Sequence, residues 1–180
     1  MEHRIIVAGF GGQGVLLIGN LICHAGMEEG NNVAWLPSYG PEMRGGTASC
    51  SVTVSDDEIG SPIVTQPDIC IVMNQPSLDK YLDAVQPGGK LFINSSRIKP
   101  TRYRDDIETY LVPTSEVAQE VGNLRTANMV MLGAVAAITG VVKTESAVAA
   151  LREAFGERRA HLIPVNEKAM ALGAERTEKV

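Results

Sequence analysis

A three-layer α/β/α domain with a mostly parallel sheet is the fold class this sequence predicts, on three observations. Short apolar strands alternate with helical patterns, a glycine-rich turn joins the first strand to the first helix, and the second connection breaks the alternation. That break calls for at least one antiparallel strand. The first βαβ unit is expected to be Rossmann-like.

The apolar run from Arg4 to Ala8 passes directly into Gly9-Phe10-Gly11-Gly12-Gln13-Gly14. A helix is expected over Gly12 to Glu29, with Val15, Leu16, Leu17, Ile18, Leu21 and Ile22 on most of its faces, so it should be largely buried. Gly30, Asn31 and Asn32 stop it, and Val33 to Leu36 form the second strand. From Thr47 to Ser55 the chain alternates, with Thr47, Ser49, Ser51, Thr53 and Ser55 opposite Ala48, Cys50, Val52 and Val54. This period of two marks a half-buried strand. It follows strand two through a glycine-rich loop without a helix, so it is expected at or near a sheet edge, antiparallel or irregularly connected.

Ile69-Cys70-Ile71-Val72-Met73 reads as a strand buried on both faces. A helix starting near Pro76 carries Leu78, Tyr81, Leu82 and Val85 on one face. Pro87-Gly88-Gly89 turns the chain into a strand over Lys90 to Asn94, and another is expected at Tyr110 to Val112. From about residue 115 the chain is helical: Ser115 to Val121, Thr126 to Thr139, Thr144 to Phe155 with Thr144 as N-cap and Gly156 past the end, and a last helix from about Asn166. The 180 residues are expected to form one domain.

Aromatic residues make up only 4% of the chain, so the core should be aliphatic and alanine-rich. A formal net charge of −5 argues against nucleic acid, whose binders concentrate Lys and Arg. The apolar stretch from Met129 to Val142 contains Gly133, Thr139 and Gly140 and falls short of the roughly 20 residues a membrane span needs. Met1-Glu2-His3-Arg4 leads straight into a strand rather than a signal peptide, so a cytoplasmic location is expected. Cys23, Cys50 and Cys70 have no CxxC spacing and read as buried thiols; His3, His24 and His161 lack metal-ligand spacing, so no metal site is expected.

Two motifs stand out. Gly9, Gly11 and Gly14 satisfy G-x-G-x-x-G between a strand and a helix, the setting in which such a turn meets phosphate. An NAD or FAD site would also place an acid near the end of strand two; here that strand ends Trp35-Leu36-Pro37-Ser38, and Glu42 lies beyond Pro41. The glycines could equally serve close strand–helix packing. The second motif, Ser38-Tyr39-Gly40-Pro41-Glu42-Met43-Arg44-Gly45-Gly46, presents an acid, a flexible apolar side chain and a guanidinium within three residues. A loop so rich in Tyr, Pro and Met fits an interface better than a bland surface turn, and Arg44 could also serve only to pair with Glu42. Arg97, Lys99, Arg102 and Arg104 form a basic cluster that could meet phosphates, with Asp105, Asp106 and Glu108 following at once to neutralise it. No G-x-S-x-G elbow or G-x-x-x-x-G-K-[ST] loop is present, so no catalytic residue is assigned.

The two motifs, taken with Gly60-Ser61-Pro62, Pro67-Asp68, Asn128-Met129 and Leu132-Gly133-Ala134, resemble the gamma subunit of 2-oxoacid:ferredoxin oxidoreductases. The loop is most similar to 2-oxoglutarate and branched-chain members. The resemblance implies a complex that oxidatively decarboxylates a 2-oxoacid, forms acyl-CoA and CO2, and reduces ferredoxin in anaerobic metabolism. It implies thiamine diphosphate with magnesium between alpha and beta subunits, and iron–sulfur clusters in beta or a ferredoxin-like delta subunit, with none of these on the gamma chain. Gly9, Gly11, Gly12 and Gly14 are then expected near phosphate or CoA, and Tyr39, Pro41, Glu42, Met43 and Arg44 at the subunit interface, within a partly apolar exposed surface around Trp35, Tyr39 and Met43. The isolated chain is expected to be inactive. A free-standing NAD-, FAD- or FMN-binding protein or sensor is the alternative.

Overall fold

A computed structural model of the chain describes residues 1–39 and 46–180, with Tyr39 described by its backbone alone. Among these residues, strands β1 (Glu2–Phe10), β2 (Asn32–Tyr39), β3 (Thr47–Ser55), β4 (Ile69–Val72), β5 (Lys90–Asn94), β6 (Glu108–Val112) and β7 (Glu178–Lys179) form one sheet in the order β2-β3-β1-β4-β5-β6-β7. β1, β4, β5 and β6 are parallel neighbours, while β3 runs antiparallel to both β1 and β2. β2 therefore points the same way as β1. The mostly parallel sheet and its antiparallel member are as the sequence predicts, and β3 lies one strand in from the edge.

That insertion has a local cause and a tertiary consequence. With only residues 40–46 between them, β3 follows β2 closely enough in sequence to pair antiparallel with it, and its full nine-residue register with β1, from Glu2 opposite Ser55 to Phe10 opposite Thr47, holds it inside the sheet. The predicted half-buried alternation consequently fades along β3: Thr53 and Ser55 are buried along with Val52 and Val54.

The two layers over the sheet are unequal. One face carries α1 (Val15–Glu28), α3 (Thr114–Glu120), α4 (Ala127–Thr139), α5 (Thr144–Phe155) and α6 (Ile163–Arg176), packed on Ile5, Val7, Val52, Ile71 and Phe92. The other carries α2 (Gln75–Tyr81) with Val64, Val85, Ile98 and Ile107 over Ile6, Ala8, Val72 and Ile93. α4 is buried continuously from Asn128 to Ala136, as a helix apolar on all sides must be. It crosses α6 backbone on backbone, since a methyl group on Gly133 would lie 2.1 Å from the Met170 carbonyl oxygen and one on Gly173 equally close to that of Val130.

Local starts differ in detail from the sequence reading. α1 begins at Val15 instead of Gly12, because Gly12 and Gly14 take positive φ of 93° and 73° that a helix interior does not allow. Thr144 is the first helical residue and Lys143 the cap, with no side-chain cap bond; α6 begins at Ile163, where Pro164 fits the first turn. β7 was not foreseen: two residues form a strand only because β6 offers an edge.

Candidate functional site

The parallel strands β1, β4 and β5 end side by side at Phe10, Val72 and Asn94, and the predicted glycine turn sits there. Each glycine meets a different demand. A Cβ on Gly9 would be 2.8 Å from the Met73 Cβ and from Val15, so that position packs strand against helix. Gly11 donates its N–H to the Gly46 carbonyl at 2.9 Å, tying the turn to the entry of β3. Gly12 has open space around it and is held by conformation alone, whereas Gly14 combines a left-handed backbone with an Asn128 amide 2.2 Å from where a Cβ would stand.

Gln13, inside the motif, is a clamp. Its Oε1 accepts the Phe10 N–H at 2.7 Å, and its Nε2 donates to the Met73 carbonyl at 3.0 Å. Asn94 donates to the same carbonyl at 3.2 Å and accepts from the Thr114 hydroxyl at 2.7 Å. Both Asn94 and Thr114 are buried, so these bonds cannot be exchanged for water. The ends of β1, β4 and β5 and the start of α3 are thus stitched into one rigid rim.

Beside this rim lies a cavity of about 510 Å³, lined by Gly12, Gly14, Asn94, Thr114 and Asn128 and by two guanidinium-bearing residues, Arg97 and Arg125. It occupies the position where open α/β sheets bind ligands, outside the carboxyl ends of the strands. The predicted basic cluster divides in two here. Arg97 faces the cavity, while Arg102 pairs with Asp83 at 2.6 Å and Arg104 donates to the Leu82 and Val85 carbonyls and to Asp106. Its bond to Asp106 holds the Arg104 pKa above, and the Asp106 pKa below, their ordinary values. Arg104 is a structural pin.

Of the predicted interface residues, Pro41, Glu42, Met43 and Arg44 lie outside the described residues, and Tyr39 ends β2. Trp35 requires a correction: it packs against the helical face of the core, its indole beside Gly19 and Cys50, and does not belong to an exposed apolar surface. Alternation along β2 turns it inward and leaves Leu36 exposed on the opposite face. Exposed apolar side chains do occur at the carboxyl end, where Phe10 and Leu124 flank the rim.

The cysteines do not fit an iron–sulfur cluster. Cys50 is buried in the helical-face core and Cys70 in the opposite one, and burial pushes their thiols up to about 11 and about 12. Cluster ligation requires thiolates brought together. No helix among the described residues is long and apolar enough to cross a membrane.

A family model described as pyruvate ferredoxin/flavodoxin oxidoreductase matches residues 4–176. The ketoisovalerate oxidoreductase subunit VorA of Methanothermobacter marburgensis is 39% identical over 180 residues, covering 99% of this chain and 37% of that protein. The chain thus spans little more than a third of that relative's length. The 2-oxoglutarate synthase subunit KorC of the same organism is 37% identical over 159 residues, 84% of this chain and 86% of that one. Among solved structures, the gamma subunit of a keto/oxoacid ferredoxin oxidoreductase from Geobacter sulfurreducens superposes with a TM-score of 0.80 at 31% identity, covering 96% of both chains.

Proposed function

Because this chain belongs to the pyruvate ferredoxin/flavodoxin oxidoreductase family, we propose that it is the gamma subunit of a multi-subunit 2-oxoacid:ferredoxin oxidoreductase converting a 2-oxoacid to acyl-CoA and CO2. The observation that carries this reading is the match to subunit KorC over 86% of that subunit's length, together with the VorA match that covers only a part of a longer protein. The same unit occurs separately in one relative and as a section of a longer chain in another. A 2-oxoglutarate or branched-chain 2-oxoacid is the substrate class these two relatives support.

In this reading thiamine diphosphate, magnesium and the iron–sulfur clusters belong to alpha, beta and delta partners, and ferredoxin is met through the complex. The gamma chain's contribution is to cover the reacting carbon from water and to shape the approach of CoA. The rigid rim at the carboxyl end, with Phe10 and Leu124 beside it, is the face that meets those partners. The segment from Tyr39 to Gly46 docks there, with Tyr39, Pro41, Glu42, Met43 and Arg44 at the interface.

Anaerobic purification of a tagged chain from its host tests this directly. Brown material containing thiamine diphosphate and cluster-bearing chains is the expected result; a colourless, partnerless chain overturns it. In the purified complex, Arg44→Ala should weaken assembly or raise the KM for CoA while the isolated chain shows no activity. Unchanged assembly and unchanged KM would remove Arg44 from the interface.

A further inference from the structure

We propose that the free edge of β2 pairs with a second copy of this chain: two β2 strands meet antiparallel about a two-fold axis at Ala34 and join two sheets into one. Such pairing goes beyond the proposed function and stands independently of it.

The hydrogen-bond ladder fixes which backbone groups β2 turns outward. The Asp68 and Met73 N–H groups donate to the Arg4 and Ala8 carbonyls, so the even-numbered residues of β1 face β4 and its odd-numbered residues face β3. Just past the strand ends the same phase holds, with Gly11 donating to Gly46 and Asp56 to Met1, so the even-numbered residues of β3 face β1. Its odd-numbered residues are left for β2, where Thr53 stands opposite Ala34 and Ser51 opposite Leu36. Ala34 and Leu36 therefore bond inward, and Val33, Trp35 and Pro37 point their backbone groups away from the sheet. Among the described residues no turn or loop backbone satisfies them.

The two edges of the sheet are built differently. β7 is two residues long, and Glu178 and Lys179 are both charged and exposed, the usual defence of an edge. β2 runs from Asn32 to Tyr39 without a charged residue, with Val33, Ala34 and Trp35 half-buried and Leu36 42% exposed. Its one guard is Pro37, which lacks an N–H and blocks any register that needs a donor there. A two-fold pairing that sets Val33 opposite the copy's Trp35 makes no such demand. Every outward N–H ahead of Pro37 then finds a carbonyl, Ala34 meets Ala34 on the axis, and Asn32 meets Leu36. No like charges come together. The complement of this edge is an uncharged strand with outward donors two residues apart, and β2 itself is one.

Sedimentation and light scattering of the full chain over a range of concentrations test the pairing. A dimer is expected, and the Val33 and Trp35 amides should exchange with solvent about tenfold or more slowly in the dimer than in the dilute monomer. Across the axis the Ala34 backbones lie about 4.5 Å apart. Ala34→Asp and Ala34→Lys each set like charges opposite one another there and should weaken self-association about tenfold or more. Mixing the two variants sets opposite charges together and should restore a dimer, which also shows that both are folded. A chain that is monomeric at every concentration overturns the pairing, as does a dimer whose Val33 and Trp35 amides exchange freely. So do variants that dimerise like the unaltered chain, or a mixture that stays monomeric with unaltered melting temperatures. If the variants melt early, amide exchange in the unaltered chain decides. A chain that captures other subunits yet never pairs with itself defeats this inference alone. One that pairs but captures nothing defeats the proposed complex and leaves the edge standing.

Discussion

The two ends of the sheet treat charge in opposite ways. At the amino end, cations are matched: Arg104 to Asp106, and both Lys90 and Lys179 to Glu108, while the His3 ring hydrogen-bonds to Asp68 at 2.8 Å. Glu108 also accepts the Tyr110 hydroxyl, and that ring stacks on Phe92 with centroids 5.0 Å apart. At the carboxyl end, Arg97 and Arg125 face a cavity without a carboxylate among the described residues, beside a rim in which the Gln13 and Asn94 amides bond to the chain itself. One end closes the fold on itself, and the other leaves two guanidiniums facing an open cavity.

The largest expected effect tests the rim. Asn94→Ala removes bonds to Met73, Ser96 and Thr114 in a buried setting and should cost about 3 kcal/mol, a fall in melting temperature of roughly 6–12 °C. A melt near that of the unaltered chain would show the rim to be loose. Arg104→Ala, at the opposite end, leaves two backbone carbonyls and Asp106 without their donor and should cost about 1–2 kcal/mol. Denaturant unfolding measures it.

Glu108 gives a smaller effect with a definite pH signature. Hydrogen bonds from Tyr110, Lys179 and Lys90 hold its pKa at about 2, well below the usual value. A depressed carboxyl stabilises the fold above its unfolded pKa, roughly 4.3, and that stabilisation is lost as pH falls from there through about 2. Because the side chain is 37% exposed, solvent screening keeps the contribution below about 1 kcal/mol. Glu108→Gln should therefore flatten the acid limb of the stability curve between those values and lower stability slightly at pH 7. Last, Arg97→Gln and Arg125→Gln should change melting by no more than about 0.5 kcal/mol, since neither is paired within the described fold. A large loss from either would make the carboxyl end as structural as the amino end and erase the contrast.

Much of this molecule was readable in one dimension because its signals are local. The run Ile69 to Met73, the strand Lys90 to Asn94 and the glycines flanking α1 each declare themselves within a few residues. The site was half readable. Gly9, Gly11, Gly12 and Gly14 stand where their spacing predicts, and Gln13 sits inside that motif, yet its clamp on Met73 links residues sixty positions apart. Arg125 carried no local signal, and Asn128 entered only through the family resemblance, with no role attached: they reach the glycine turn because α4 returns to the carboxyl end, locked there by its close crossing with α6.

The sequence by itself determined the strand and helix alternation, the glycine turn and the family, because periodicity and backbone-restricted residues act over short range. Only the tertiary structure decided that β3 lies between β2 and β1, that Trp35 turns inward, and that Arg97 faces a cavity while Arg104 pins a loop. Those outcomes depend on which distant surfaces meet. Hydrogen-bond satisfaction and close packing settle that across the whole chain, and no window of sequence contains both partners.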